Sequence, residues 1–363
     1  MSASVRAVVF PGDDTYEVRE LPMPEPPAGG ALLKVEAVGL CGSDVAQIGG
    51  DTIVPGATFP VVPGHETVGR VEALGSGSDA LGVAEGDLVA VDEVLRCGEC
   101  TACKRGEPMC ADLQVYGYTM GVDEGPGLWG GCGEYLVIRP GTRLHRLPDD
   151  VPPAELTVFE PLASAVHWVE LAGVGLGDTV VIEGPGHQGL ACLVVALAAG
   201  AGEVIVTGTA EDGLRLDSAR RLGAHHTVVV DEVDPVSAVR EITDGRMADV
   251  AMDVAAGTTA TVTAAIDMVR FHGTVLLAGL KHFAPLDGLI TDMVVLRGVR
   301  IQGGPGFTPE SMSTAVGMIR AGQIPTGEMR GEVFPLDRVD EAMRLLRREE
   351  PGRDAVRVSL QMS

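Results

Sequence analysis

The stretch "DTVVIEGPGHQGLACLVVALAAGA", residues 178–201, limits the fold more than any other part of this 363-residue chain. It opens on an apolar run, Thr179–Glu183, reaches Gly184, Gly186 and Gly189 in the spacing G-x-G-x-x-G, and continues with the apolar periodicity of a helix. In a strand–turn–helix context these glycines permit the tight turn and bring the backbone against a pyrophosphate at the helix N-terminus. His187 and Gln188 lie inside the motif and join the three glycines as candidate cofactor-binding residues. A second strand, "EVIVTG", follows. After it come "HTVVV", "ADVAMDV" and "GTVLLAG" with helical segments between them. Strand and helix alternating in this way predict an α/β domain with a doubly wound parallel sheet.

That alternation fills less than half of the chain, and a length of 363 residues favours two domains over one core. The net charge of -24 opposes nucleic acid as a partner, since phosphate binding needs clustered cations, and equally opposes an anionic membrane. The opening "MSASVRAVVFPGDDTYEV" reads as a strand and turn and lacks the apolar run of a secretory signal. A cytoplasmic location is therefore expected, in which thiols stay reduced.

Four of the seven cysteines fall in "CGECTACKRGEPMC", residues 97–110. Thiolates at C-x2-C-x2-C-x7-C can close tetrahedrally on one zinc ion and leave no position open for chemistry. Cys97, Cys100, Cys103 and Cys110 are expected to form such a structural site, with Gly98, Gly106 and Pro108 supplying its turns. The other reading is four reduced surface thiols, which such density would expose to oxidation. A second constellation lies upstream: "GLCGSD" holds Cys41, Ser43 and Asp44, and "PGHE" holds His65 and Glu66. Cysteine, histidine and carboxylate form the mixed set that catalytic zinc uses, the last position being left for water or substrate.

With "PGHETVGRVEALG", "GDLVAV", "GGCGEYLVI", "FEPLA" and "FPLDRVDEAMRLL" added to these motifs, the chain resembles zinc-containing medium-chain dehydrogenases/reductases along nearly its whole length. The "GHE" and "EPLA" forms are similar to the sorbitol, butanediol and threonine dehydrogenase branch. The resemblance implies a β-rich, GroES-like catalytic domain made from both chain ends, residues 1–156 and 300–363, with a Rossmann domain inserted at 157–299. It implies two zinc ions per chain and NAD or NADP. Cys41 and His65 would ligate the catalytic zinc, with Glu66 or Glu160 as a further ligand. Zinc would lower the pKa of an alcohol while the nicotinamide takes up hydride. Ser43 would hydrogen-bond the substrate oxygen and pass its proton outward, and Asp44 would orient His65. A homodimer or homotetramer is expected from the family.

Two features depart from the family pattern. Relatives often carry a histidine two residues after "CGSD", whereas here Ala46 and Gln47 follow. The acid that binds the adenosine ribose in NAD enzymes falls at Gly208, and Arg215 is the nearest candidate for a 2′-phosphate. Tyr118 and Trp129, in a glycine-rich loop, are expected either to line a pocket or to anchor the loop, and Cys132 and Cys192 to be small buried thiols. The expected activity is hydride transfer between a secondary alcohol or polyol and NAD(P). The alternatives are a threonine-type amino alcohol dehydrogenase or a zinc-stabilised relative without turnover.

Overall fold

In a computed structural model of the chain, which describes residues 4–52, 54–105 and 110–362, Thr179–Glu183 is one strand of a six-stranded sheet. The strands run in the order His226–Val229, Glu203–Gly208, Thr179–Glu183, Ala248–Asp253, Val269–Leu277 and Arg300–Gly303, and every neighbouring pair is parallel. This is the doubly wound Rossmann sheet. Its order reverses between Thr179–Glu183 and Ala248–Asp253, where such sheets open a crevice beyond the carboxyl ends of their strands. Val180, Val181 and Ile182 have no exposed surface, which explains an apolar run without alternation. Helix His187–Ala198 is buried along Gly189–Ala196, so an amphipathic stripe is not required of it.

The chain divides into two compact units, Met1–Phe159 with Val316–Ser363, and Glu160–Ala315. Strand Arg300–Gly303 pairs with Val269–Leu277 in the parallel sheet.

The first unit is GroES-like and takes strands from both chain ends. Its sheet runs Glu332–Pro335, Val358–Gln361, Ala31–Leu40, Glu66–Leu74, Leu88–Val91 and Leu144–Arg146, with Tyr135–Ile138 also pairing Ala31–Leu40. Ala31–Leu40 is buried on both faces apart from Lys34 and Glu36, and its core includes Leu33, Val35 and Val38. Its antiparallel register with Glu66–Leu74 places Gly39 opposite Glu66, and its pairing with the last strand places Leu40 opposite Val358. Cys41, the pair His65–Glu66 and Arg357 thus arrive at one end of one sheet from three distant parts of the chain. Among the described residues, no helix is long and apolar enough to cross a membrane.

Candidate active site

The strand Ala31–Leu40 ends at Cys41, which caps the short helix Gly42–Ile48. Asp44, fully buried, turns back so that its Oδ2 accepts the Cys41 backbone N–H at 2.7 Å. Its Oδ1 stands 3.6 Å from His65 Nδ1. Cys41 Sγ and a Glu66 carboxylate oxygen lie within 4.8 Å of one another. Burial works against a Cys41 thiolate, yet hydrogen bonding and charge from His65 outweigh it and hold the thiol below its ordinary pKa. Burial likewise opposes a charged His65, but the fields of Tyr118 and Asp44 and hydrogen bonds to Asp44 and Cys41 raise its pKa well above the usual value. A thiol biased toward thiolate, an imidazole and a carboxylate form a donor set that fits a zinc ion with an open position.

Glu66 has a second neighbour that the motifs do not reveal. The Arg357 guanidinium contacts Glu66 Oε2 and donates to the Thr157 carbonyl at 2.6 Å, with both charged side chains almost wholly buried. Gly39 makes this possible, because a Cβ there would overlap both the carboxylate and the guanidinium.

Ser43 is exposed beside this group, and its Oγ accepts a hydrogen bond from the Tyr118 hydroxyl at 3.0 Å. The same hydroxyl is 3.5 Å from His65 Nδ1. Burial pushes the Tyr118 pKa up, which keeps it protonated as a donor. Gln47 Nε2 donates to the Gly117 carbonyl at 2.6 Å, so the Tyr118 loop is tied to the helix carrying Ser43 and Asp44 at two points. Trp129 anchors its loop by donating to the Glu124 carbonyl at 2.7 Å. Cys132 and Cys192 are buried thiols with raised pKa values, as expected for packing residues.

The four clustered cysteines place Sγ atoms within 4.8 Å of one another. Separations of 3.5 Å for Cys97–Cys110, 3.9 Å for Cys97–Cys103 and 4.0 Å for Cys100–Cys110 bracket the edge of a tetrahedron with Zn–S bonds, about 3.8 Å. Backbone N–H groups of Cys97, Cys100, Cys103 and Asp112 point at the sulfurs from 3.3–3.4 Å. Such bonds from Ala111 and Cys103 lower the Cys100 thiol to about 6, while burial and its sulfur neighbours push Cys103 up to about 12. Gly98 takes the left-handed conformation its turn needs, at φ +73°. Gly106 and Pro108 lie outside the described residues.

In the other unit, Gly184 makes the turn after the first strand at φ +100°. Helix His187–Ala198 begins with Gly186 as its cap, which has no side chain to cap the helix. Gln188 and Gly189 continue that first turn. Gly208 ends the second strand, and Arg215 lies on helix Gly213–Arg221 with its guanidinium 3.8 Å from where a Cβ on Gly186 would stand. Glu160 is in the first turn of helix Phe159–Ala172 and accepts the Ser164 hydroxyl at 3.1 Å. The sequence reading passed over Arg357 and the Ser43–Tyr118 contact. For Arg357 a signal was present, since "AVRVSL" sets a single cation in an otherwise strand-like apolar run.

Two family models match: "Alcohol dehydrogenase GroES-like domain" over residues 27–149 and "Zinc-binding dehydrogenase" over residues 189–321. The chain is 35% identical over 358 residues to "Probable alcohol dehydrogenase adh" of Mycobacterium tuberculosis, covering 96% of each. It is 32% identical over 367 residues to an erythritol/L-threitol dehydrogenase of Mycolicibacterium smegmatis, covering 98% of this chain and 97% of that one. The crystal structure of an alcohol dehydrogenase from Thermotoga maritima superposes with a TM-score of 0.88 at 27% identity, covering 100% of both chains. Two domain matches, full-length relatives and a thiol-rich donor set on a Rossmann and GroES-like frame have one common reading: the chain belongs to the zinc-containing alcohol dehydrogenase superfamily, as an NAD(P)-dependent oxidoreductase.

Proposed function

We propose that the chain interconverts a secondary alcohol or polyol with its ketone, using Cys41, His65 and Glu66 to hold one zinc and the cluster at residues 97–110 to hold a second. The observation that carries this reading is the arrival of the Cys41 thiol and the Glu66 carboxylate at one sheet end, with His65 hydrogen-bonded to Cys41 and Tyr118 donating to the Ser43 hydroxyl. Glu160 remains a candidate alternative ligand, and residues 160–315 are assigned as the dinucleotide-binding domain. The full-length relative named for erythritol and threitol supports a polyol substrate.

A zinc ion held by Cys41, His65 and Glu66 would supply Lewis acidity toward a substrate oxygen, and a dinucleotide on residues 160–315 would supply hydride-accepting chemistry. The chain handles the proton. Because Tyr118 donates to Ser43 Oγ, the Ser43 hydrogen is left to point elsewhere, toward the substrate oxygen during carbonyl reduction. In alcohol oxidation the exposed Ser43 hydroxyl can take the substrate proton while passing its own hydrogen to water, with Tyr118 still donating to Oγ, a route that needs no histidine at the position of Ala46. Asp44 holds the His65 ring by contact at Nδ1, leaving Nε2 for the metal. Arg357 balances the Glu66 charge and so limits how strongly that carboxylate competes for the ion.

An isologous homodimer is the proposed assembly. It uses the edge of strand Arg300–Gly303 that is unpaired among the described residues, together with the exposed apolar residues of that strand and of helix Thr291–Arg297, which precedes it in the chain.

The test is the absorbance of reduced nicotinamide over a panel of polyols, diols, secondary alcohols and threonine, with each dinucleotide, before and after a strong chelator. Chelator-sensitive turnover of a polyol or secondary alcohol is expected, from a chain carrying two zinc ions. Cys41→Ala is expected to abolish turnover and lose one ion with the fold kept, and Cys103→Ala to lose the other ion together with stability. Full activity in Cys41→Ala would sink the assignment. Turnover of threonine alone would move it to an amino alcohol, and silence with a single zinc would make the chain a non-catalytic relative.

A further inference from the structure

We infer that the dinucleotide site selects NAD and rejects NADP, and that two carboxylates outside the usual position, Asp212 and Asp231, make the selection. The inference rests on the reading of residues 160–315 as the dinucleotide-binding domain.

In folds of this kind a side chain near the end of the second strand meets the adenosine ribose: an acid for free hydroxyls, an arginine for a 2′-phosphate. Here that strand, Glu203–Gly208, ends in glycine, and no larger residue would fit. A Cβ on Gly208 would stand 2.8 Å from Pro185 Cγ, 3.1 Å from Pro185 Cδ and 3.2 Å from Asp212 Cβ. Pro185 belongs to the glycine turn, so the turn itself occupies the space that a strand-end acid would need. The acid has to come from elsewhere.

It comes from two directions. Asp212, nearly buried, folds back so that its Oδ2 accepts both the Thr209 N–H at 2.9 Å and the Thr209 hydroxyl at 2.8 Å. Asp231, just beyond strand His226–Val229, accepts the Ala210 N–H at 2.6 Å through its own Oδ2. The amides of residues 209 and 210 and the Thr209 hydroxyl are the donors with which this loop could have received a phosphate. All three already point at carboxylates. A 2′-phosphate would find no free donor among them and would face the negative charge of Asp212 and Asp231, with Glu211 exposed next to Asp212 in the sequence. A ribose 2′-hydroxyl carries a hydrogen and can donate to a carboxylate, so the same loop suits NAD.

The cations nearby do not reverse this. Arg215 reaches back along its helix to the glycine turn, 3.8 Å from the Cβ position of Gly186, which is the place of the pyrophosphate. Both NAD and NADP carry that group, so an arginine there favours neither. Arg220 pairs with Asp217, and Arg221 donates to Ser218 on its own helix.

The experiment is equilibrium binding of NADH and of NADPH to the whole zinc-loaded protein, followed by nicotinamide fluorescence at fixed ionic strength without substrate. NADH is expected to bind at least about ten-fold more tightly, a gap of roughly 1.4 kcal/mol. Asp231→Asn removes a charge at an exposed site and keeps an oxygen for the Ala210 amide. It should shrink the NADPH-to-NADH ratio of Kd values about three-fold or more, and Asp212→Asn should act in the same direction. NADPH binding as tightly as NADH to the unaltered protein would overturn the inference. So would an NADH preference that survives unchanged in both variants and in the double variant. Failure of both dinucleotides to bind would instead bring down the dinucleotide-domain reading on which the inference stands, and the inference with it.

Discussion

A buried guanidinium facing a buried carboxylate is stable only while both are present, because either charge left alone in that environment keeps its desolvation cost and loses its compensation. Arg357 and Glu66 are such a pair, with side-chain exposures of 2% and 0%. Arg357→Met should therefore destabilise the chain by ~3–5 kcal/mol, read as a fall in the denaturation midpoint. Arg357→Met with Glu66→Gln should recover much of that loss, since a neutral amide needs no counter-charge. A single variant as stable as the original would mean that water or another cation reaches Glu66, and that the pair does little for the site. The two residues are separated by 291 positions in the chain. Sequence spacing reports on neighbours a few residues apart, which is why the four-cysteine set and the "CGSD" motif were legible while the partner of the lone cation in "AVRVSL" was not. Tyr118 and Ser43 are 75 positions apart, and their contact was hidden for the same reason.

At the scale of elements, the parallel sheet was legible because its signals are local: apolar runs of strand length, glycines at fixed offsets, helical periods between them. What the strands bring side by side was not. Register places Glu183, the last residue of its strand, directly against Asp253, the last residue of the next. Lys281 Nζ lies 2.9 Å from Asp253 and also donates to the Thr261 hydroxyl at 3.0 Å. One lysine thus serves two nearly buried acids. Burial, then the charge of Asp253, raise the Glu183 pKa well above the carboxylate range, against the weaker pull of Lys281. A carboxyl whose pKa is higher folded than unfolded contributes fully below about pH 4, where both states hold the proton. Its contribution is lost as the pH climbs through the folded value, since the unfolded chain then releases a proton that the folded chain retains. Glu183→Gln keeps a neutral group of the same shape, so it should be the more stable protein at alkaline pH, with the advantage disappearing toward acid. Denaturant midpoints of both proteins across the pH range check this. Parallel profiles would show that Glu183 is not the group whose ionisation costs the sheet.

Whole-molecule behaviour turns on a conflict between charge and apolar surface. Strand Arg300–Gly303 closes the six-stranded sheet with one edge unpaired among the described strands. On helix Thr291–Arg297, which precedes it in the chain, Val295 and Leu296 are 76% and 74% exposed, and Ile301 on the strand itself is 41% exposed. A flat edge next to exposed apolar side chains invites pairing with another chain, and antiparallel pairing of identical edges about a two-fold axis closes the assembly at two. Such a dimer joins the two sheets into one continuous sheet. Opposing it is a net charge of -24 on each chain, a repulsion that acts over distances salt can screen. An interface held by apolar contact against net repulsion should tighten as salt rises, whereas one held by ion pairs would loosen. Sedimentation velocity at low and high salt is expected to show a dimer whose dissociation constant falls with added salt. Val295→Asp combined with Ile301→Asp should yield monomers at both, because a charge then sits on the helix and another on the strand edge that have to meet their own copies. Dimers persisting unchanged in that variant would place the interface elsewhere, and a wild-type monomer at micromolar concentration would show that repulsion outweighs the apolar edge.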